Sequence, residues 1–235
     1  MINISVVMAA YNGSKYIKEQ IISILVQLTE NDELIVSIDP STDGTEDLVN
    51  KLAISDNRIT IIKGLGKGVV KNFENALSHS KGRYIFLSDQ DDIWVNKKVN
   101  KCIRELEEAN TLLVMHNYEP VDNELKHKGE SFLDTGFSSN IFGNIIRNKY
   151  VGCCMAFKKD LLSYCMPFPE KLPMHDQWIG IVAKKLGKVV YLDENLILYR
   201  RHNETITGRE KSSILTKLKW RFYITYYYIM KRKNK

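Results

Sequence analysis

The chain has 235 residues, 44% hydrophobic and 26% charged, which is enough to bury the core of one α/β domain and too apolar for a disordered segment. Its net charge of +6 is local: residues 211–235 carry eight Lys and Arg and no acid, and the remaining 26 basic residues face 28 acidic ones. The basic surplus thus lies in one terminal segment and not on a domain face, which argues against nucleic-acid binding, and no run reaches the ~18 uninterrupted apolar residues of a spanning helix.

In chain order, "INISVVMAA" reads as a first strand and not as a cleaved leader, because no basic segment precedes it and it stops at the turn-like "YNG". "SKYIKEQIISILVQ" follows as a helix with Ser14 as its N-cap and apolar residues at Ile17, Ile21, Ile24, Leu25 and Leu28. Next come the strand "ELIVSID", the turn "PSTDG", a helix from Thr45 to about Ile54 and the strand "RITIIKG". A helix over "GVVKNFENALSHS", the strand "RYIFLSD", the helix "VNKKVNKCIRELEEA" and the strand "TLLVMHN" complete a βαβαβαβαβ order. That order predicts a mostly parallel, doubly wound sheet. Periodicity fades over residues 118–150, where one short helix is expected in a loop-rich insertion, then returns in "YVGCCMAFKKDLL", a helix "HDQWIGIVAKKLG" from about Met174, and two strands in "KVVYLDENLILYRRH". Cys102, Cys153, Cys154 and Cys165 lack metal-site spacing and read as reduced core thiols of a cytoplasmic protein.

Ligands of such a sheet bind outside the carboxyl ends of its strands, where three polar segments fall: "AAYNG", "DPSTDG" and "SDQDD". Asp89 and Asp91 can face one cleft from there and offer hard oxygen donors suited to Mg²⁺ or Mn²⁺ held together with a diphosphate, while Asp92 is placed to cap the next helix. Asp39 can accept a hydrogen bond from the imide N–H of uracil or thymine, or serve only in an Asx turn whose helix is capped by Asp43 or Thr45. "MHDQW" sets Asp176 at a helix start, either as a proton acceptor with His175 and Trp178 lining the cleft or as an acid favoured by the helix dipole. "YRRHNET" supplies Arg200, Arg201 and His202 as cations for phosphate or an imidazole for metal.

Taken in order, "SVVMAAYNGSKYIKEQIISILVQ", "DPSTDGT", "LSDQDDIW", "HDQWIGIVA" and "LILYRRHNET" resemble the family 2 glycosyltransferases of the GT-A fold, most closely bacterial rhamnosyltransferase-type members that build surface polysaccharides. The resemblance implies a GT-A domain over residues 1–210, with a nucleotide-sugar-binding half at 1–117 and an acceptor half at 118–210, followed by a basic aromatic tail at 211–235. It implies that Ala10, Tyr11 and Asp39 line the base pocket, that Asp89 and Asp91 form the DxD meeting ribose, diphosphate and metal, that Asp176 is the general base, and that His202 completes the metal or diphosphate contacts. The implied reaction is inverting transfer from a UDP- or dTDP-sugar to a glycan or lipid-linked acceptor. Two departures stand out: Ala9 or Ala10 takes the place of the usual strand-one proline, and "IDPS" replaces the common "DDGS".

A sugar nucleotidyltransferase would want a Gly-rich basic loop after strand one, where "AAYNGSKY" has one Gly and one Lys; a non-catalytic glycan-binding relative would not need Asp89, Asp91, Asp176 and His202 together. The tail "ILTKLKWRFYITYYYIMKRKNK" reads equally as an interfacial membrane helix, giving peripheral contact through 212–235 at the inner face of a plasma membrane, or as a helix packed on the domain.

Overall fold

The structure, a computed structural model, describes residues 3–131, 136–201 and 213–230. Its elements are β1 (Ile4–Ala10), α1 (Ile17–Leu25), β2 (Asp32–Ile38), α2 (Thr45–Ser55), β3 (Ile59–Lys63), α3 (Val69–His79), β4 (Tyr84–Ser88) and β5 (Ile93–Trp94), then α4 (Lys98–Glu107), β6 (Thr111–Val121), α5 (Ile141–Ile146), β7 (Met155–Lys158), α6 (Leu162–Cys165), α7 (His175–Leu186), β8 (Lys188–Arg200) and α8 (Ile214–Met230). The strands form one sheet in the order β3-β2-β1-β4-β7-β6-β8-β5. β1 to β4 pair in parallel, β7 runs antiparallel between β4 and β6, β6 and β8 are parallel, and the two-residue β5 closes the far edge against β8.

Burial explains why these runs carry no alternation. Val6, Val7 and Met8 of β1, Leu34 to Val36 of β2 and Ile85 to Leu87 of β4 are buried on both faces, as strands covered by helices on each side must be. The helices cover them with one stripe each: Ile17, Ile21 and Ile24 of α1 and Phe73, Ala76 and Leu77 of α3 are buried. All four cysteines are buried and free.

Several local expectations change. β6 runs on to Val121 because its far half pairs with the far half of β8, so residues 118–121 belong to the sheet. "KVVYLDENLILYR" is one strand and not two: the chain shifts register between Leu192 and Asn195 and continues along the same partner. Ser14 does not cap α1, which begins at Ile17; its N–H instead donates to Asp43. Nor does Asp92 cap α4, which starts at Lys98 after Lys97 in a left-handed conformation.

β7 is the element that shapes the site. It starts at the carboxyl edge of the sheet and runs back, pairing Phe86 with Ala156 and Met115 with Met155. The turn before it, Gly152–Cys154, is thereby brought against the polar loop that follows β4.

Candidate active site

Three loops leave the carboxyl ends of β1, β2 and β4, and side-chain-to-backbone hydrogen bonds stitch them together. The Gln90 carboxamide accepts from Tyr11 N–H and donates to Tyr11 C=O, both at 2.9 Å, pairing with that residue as a neighbouring strand would. Asn12 N–H donates to Ser41 Oγ and Asn12 Oδ1 accepts from Thr42 N–H, while Gly13 N–H donates to Thr45 Oγ1. Asp43 accepts from Thr45 and Ser14, and these bonds, against burial that raises it, hold its carboxyl down to about 2. Beneath them Asn72 of α3 donates to the carbonyls of Ala10 and Ser37.

Ala10 is buried, and the ring of Tyr11 stands exposed at the mouth of this platform. Asp39 is buried at the end of β2, where its N–H donates to Ala10 C=O and its Oδ1 accepts from Gly66 N–H. Gly64 passes so close that a Cβ there would stand 2.6 Å from Asp39 N, so only glycine admits this packing.

The acid loop is anchored from two sides. Gln20 of α1 donates to Ser88 Oγ and Asp89 C=O. Arg200, at the end of β8 and 2% exposed, sends Nε to Asp91 C=O at 2.9 Å, Nη1 to Asn123 C=O and Nη2 to Glu19, while its backbone N–H reaches Asp92 Oδ1. The sequence places Arg200 as a cation for phosphate; the structure turns its guanidinium into the protein, across the Tyr16 ring, as a clamp on the acid loop. His202 lies outside the described residues.

Asp89 and Asp91 are half-buried and Asp92 is buried. Burial, followed by the charges of Asp91 and Asp176, pushes Asp89 up to about 7. Burial and then Asp91 and Asp89 push Asp92 well above the usual carboxylate range. Oδ2 of Asp92 is buried without a hydrogen-bond partner. Asp89, Asp92 and the Cys153 thiol bring ligand atoms within 4.8 Å of one another, but a hydrogen bond with Cys154, then burial and the charge of Asp92, push that thiol well above its ordinary value, so the donors on offer are carboxylate oxygens. Clustered acids with raised affinity for protons and one unpartnered oxygen fit a hard divalent cation such as Mg²⁺ or Mn²⁺.

One cation is already built in. Lys98 is fully buried, its Nζ 2.8 Å from Cys153 C=O and 4.0 Å from the centre of the Trp94 ring, and it faces Asp92 and Asp89 from below. The signal was present in the sequence: Lys98 sits one turn before Cys102 and two before Leu106, a lone lysine on the apolar stripe of α4.

Asp176 opens α7 and faces the same acids, close enough that its charge raises Asp89. Burial pushes its own carboxyl up to about 6, partly offset by the N–H of Gln177 at 2.6 Å and the Asn148 amide at 3.4 Å. Its neighbours are not cleft residues as the sequence suggests. His175 is buried in a stack on Phe73 with centroids 4.1 Å apart, and burial holds it neutral, down to about 3. Trp178 lies in the core and donates to Cys165 C=O. Gln90, Lys98, Asn148 and Gly152 are the site residues that motif reading leaves unassigned.

The glycosyl transferase family 2 model matches residues 5–165, a span that holds all three stitched loops and the DxD. The chain belongs to that family. Among curated relatives, it is 39% identical over 221 residues, 90% of this chain and 82% of the other, to UDP-Glc:alpha-D-GlcNAc-diphosphoundecaprenol beta-1,3-glucosyltransferase WfaP of Escherichia coli. The fold of this family 2 chain superposes on TarS 1–349 of S. aureus in complex with UDP-GlcNAc with a TM-score of 0.77 at 19% identity, covering 95% of this chain and 65% of that one. It also matches the mannosyltransferase PcManGT of Pyrobaculum calidifontis in complex with GDP-Man and Mn²⁺, with a TM-score of 0.66 at 18% identity over 88% of this chain and 58% of that one. The GT-A architecture expected from the motifs is therefore the observed one. The chain spans 82% of WfaP but as little as 31% of another curated relative.

Proposed function

We propose that the chain is an inverting, metal-dependent glycosyltransferase of cell-surface polysaccharide synthesis, using a nucleotide diphospho-sugar and a lipid-linked or glycan acceptor. The observation that carries this reading is the meeting of Asp89, Asp91 and Asp176, from two distant parts of the chain, at one carboxyl edge of the sheet, with Asp176 near enough to perturb Asp89.

In this reading the base and ribose lie over the platform of Ala10, Tyr11 and Asp39. Asp89 and Asp91, with His202, would hold Mg²⁺ or Mn²⁺, and the ion would supply positive charge to offset that of the departing diphosphate. Arg200 and Gln90 fix the acid loop and do not touch phosphate. Asp176, near 6, is ionised at neutral pH yet basic enough to accept a proton. It takes the proton of the acceptor hydroxyl as the oxygen bonds to the anomeric carbon, and the bond from that carbon to the diphosphate breaks with its electron pair on the leaving nucleotide. The likeness to WfaP, whose name specifies UDP-Glc and a diphosphoundecaprenol acceptor, puts a UDP-hexose first among donors and dTDP-rhamnose, which the motifs favour, second. Residues 1–117 then form the donor half and 118–210 the acceptor half, working at the cytoplasmic side of the membrane.

A donor screen tests this. UDP-glucose, UDP-GlcNAc and dTDP-rhamnose are offered with Mn²⁺ or Mg²⁺ and acceptor, and nucleotide release is followed. One donor should be turned over, and both EDTA and Asp91→Asn should stop it. No release from any donor together with pyrophosphate-dependent consumption of a nucleotide sugar would make the chain a nucleotidyltransferase instead; donor binding without turnover would make it a non-catalytic relative.

A further inference from the structure

α8 is two-faced. Its inner side packs on the domain through Ile224, buried, and through Tyr227, whose ring meets Trp178 edge-on. Its outer side carries Leu215, Leu218, Phe222, Tyr226 and Ile229, all exposed and spaced three or four residues apart, which puts them on one face of a helix about 25 Å long. α5 abuts it: the Arg221 guanidinium donates twice to Ile146 C=O, at 3.1 and 3.0 Å. α5 has an exposed pair of its own, Phe142 at 75% and Ile146 at 64%, one turn apart. Large apolar side chains on two abutting helices exceed the scatter of single exposed residues that any soluble surface shows.

The charge of these elements names the occupant. Residues 136–149 and 213–230, which include these two helices, hold Arg147, Lys149, Lys217, Lys219 and Arg221 and no Asp or Glu. Two copies of this face meeting about a two-fold axis would bring like charges together, whereas anionic lipid headgroups offset them. No helix among the described residues is long and apolar enough to cross a membrane, so insertion stops at the interface.

We propose that α5 and the outer face of α8 form one interfacial docking surface that seats the protein on an anionic bilayer with the acceptor side of the Asp176 cleft beside the lipid. The orientation follows from two bonds: Gln177 donates to Asn144 C=O of α5 at 2.6 Å, and Asn148, just past α5, donates to Asp176. The surface therefore lies about one helix diameter from the proposed base, where the sugar of a lipid-linked acceptor would emerge. Its purpose rests on the transferase reading; the binding itself does not.

The test is co-sedimentation of the full chain with vesicles of phosphatidylcholine containing roughly a third phosphatidylglycerol, and with pure phosphatidylcholine, at low and raised salt, beside calorimetric titration with UDP. Wild type should bind the anionic vesicles, and Phe142→Ser with Phe222→Ser should weaken binding roughly tenfold or more without changing the melting curve or UDP affinity. Lys217→Glu with Lys219→Glu should weaken it too and remove its salt dependence. Failure of wild type to bind, or full binding by Phe142→Ser, overturns the two-helix surface. Light scattering that shows a dimer dissolved by Phe222→Ser, with no vesicle binding, assigns the face to a second copy. Absence of UDP binding alongside intact vesicle binding would defeat the transferase reading and leave the docking surface standing.

Discussion

The two sides of the cleft are built by different means. On the proposed donor side the loops after β1, β2 and β4 are tied to one another across the chain, by bonds between Gln90 and Tyr11, between Asn12 and both Ser41 and Thr42, from Ser14 and Thr45 to Asp43, and from Arg200 to Asp91. On the proposed acceptor side Asp176 accepts from the N–H groups of Gln177 and Gly152 and from the Asn148 amide, most bonds around it run within one stretch of chain, from Asn144 to Ser138 and Asn140 and from Tyr150 to Asn148, and the elements beside it, α5 and α8, show apolar faces outward. A diphospho-nucleotide has a fixed shape and charge, so rigid preorganisation serves it. A side held mostly by bonds within one segment can change shape with that segment alone. The lesson is that hydrogen bonds between distant loops, and not burial alone, tie the donor half of the proposed cleft into one platform.

The sharpest way to break this contrast is Asp176→Asn. It keeps size and most hydrogen bonding but cannot take the proton, so transfer should fall by roughly 10²-fold or more. Donor Kd by calorimetry should stay unchanged. A near-normal kcat with a lowered melting temperature would reduce Asp176 to a helix-terminus acid and erase the catalytic distinction between the two sides.

Next in size is the pH dependence of transfer at saturating donor. The base works only ionised, and with Asp176 near 6 its ionised fraction falls about tenfold per unit as pH drops below that value. The acid limb of kcat should break near 6. A profile flat down to pH 5 would show that another group accepts the proton.

A smaller effect is expected from Gln90→Ala, which leaves the N–H and C=O of Tyr11 without their partner. Both bonds are exposed and water can replace them, so the loss costs only about 0.5–1.5 kcal/mol. Donor KM should rise several-fold with kcat less affected, and Gln90→Glu, which keeps the acceptor but loses the donor, should fall between. Equal KM values for all three would mean that the stitching does not preorganise the donor side.

The smallest effect is a thermal shift. Asp89 and Asp176 are raised, so the folded chain holds their protons up to about pH 7 and 6, whereas an unfolded carboxyl loses its proton near 4. Stability from these groups therefore grows as pH falls from 7 towards 4; Asp43, held down to about 2, opposes this only below about 4. In the proposed metal site Mn²⁺ would compete with protons for the ionised acids, so it should raise Tm by a few degrees at pH 8 and by less at pH 5. An equal shift at both values would place the metal away from Asp89.

Much of the fold is legible from local pattern. Unbroken apolar runs mark the strands of the parallel half, and the helical stripes of α1, α3 and α7 fall where periodicity puts them. What local pattern misses are non-local partners. β7 reads as an apolar segment, but its reversed direction depends on β4 and β6 flanking it. Arg200 reads as a free cation because its partners, Glu19, Asp91 and Asn123, come from three other segments. His175 and Trp178 read as cleft residues because their motif holds an acid, yet each is committed to packing.

By itself the sequence determined the order of strands and helices from β1 to β4 and the polar strand ends where acids gather, because side-chain periodicity and turn chemistry act over a few residues. Only the tertiary structure decided that Asp176 perturbs Asp89, that Lys98 is buried with its charge facing the acid loop, and that α5 abuts α8. Desolvation and charge coupling depend on distance and burial in space, and no spacing along the chain encodes either.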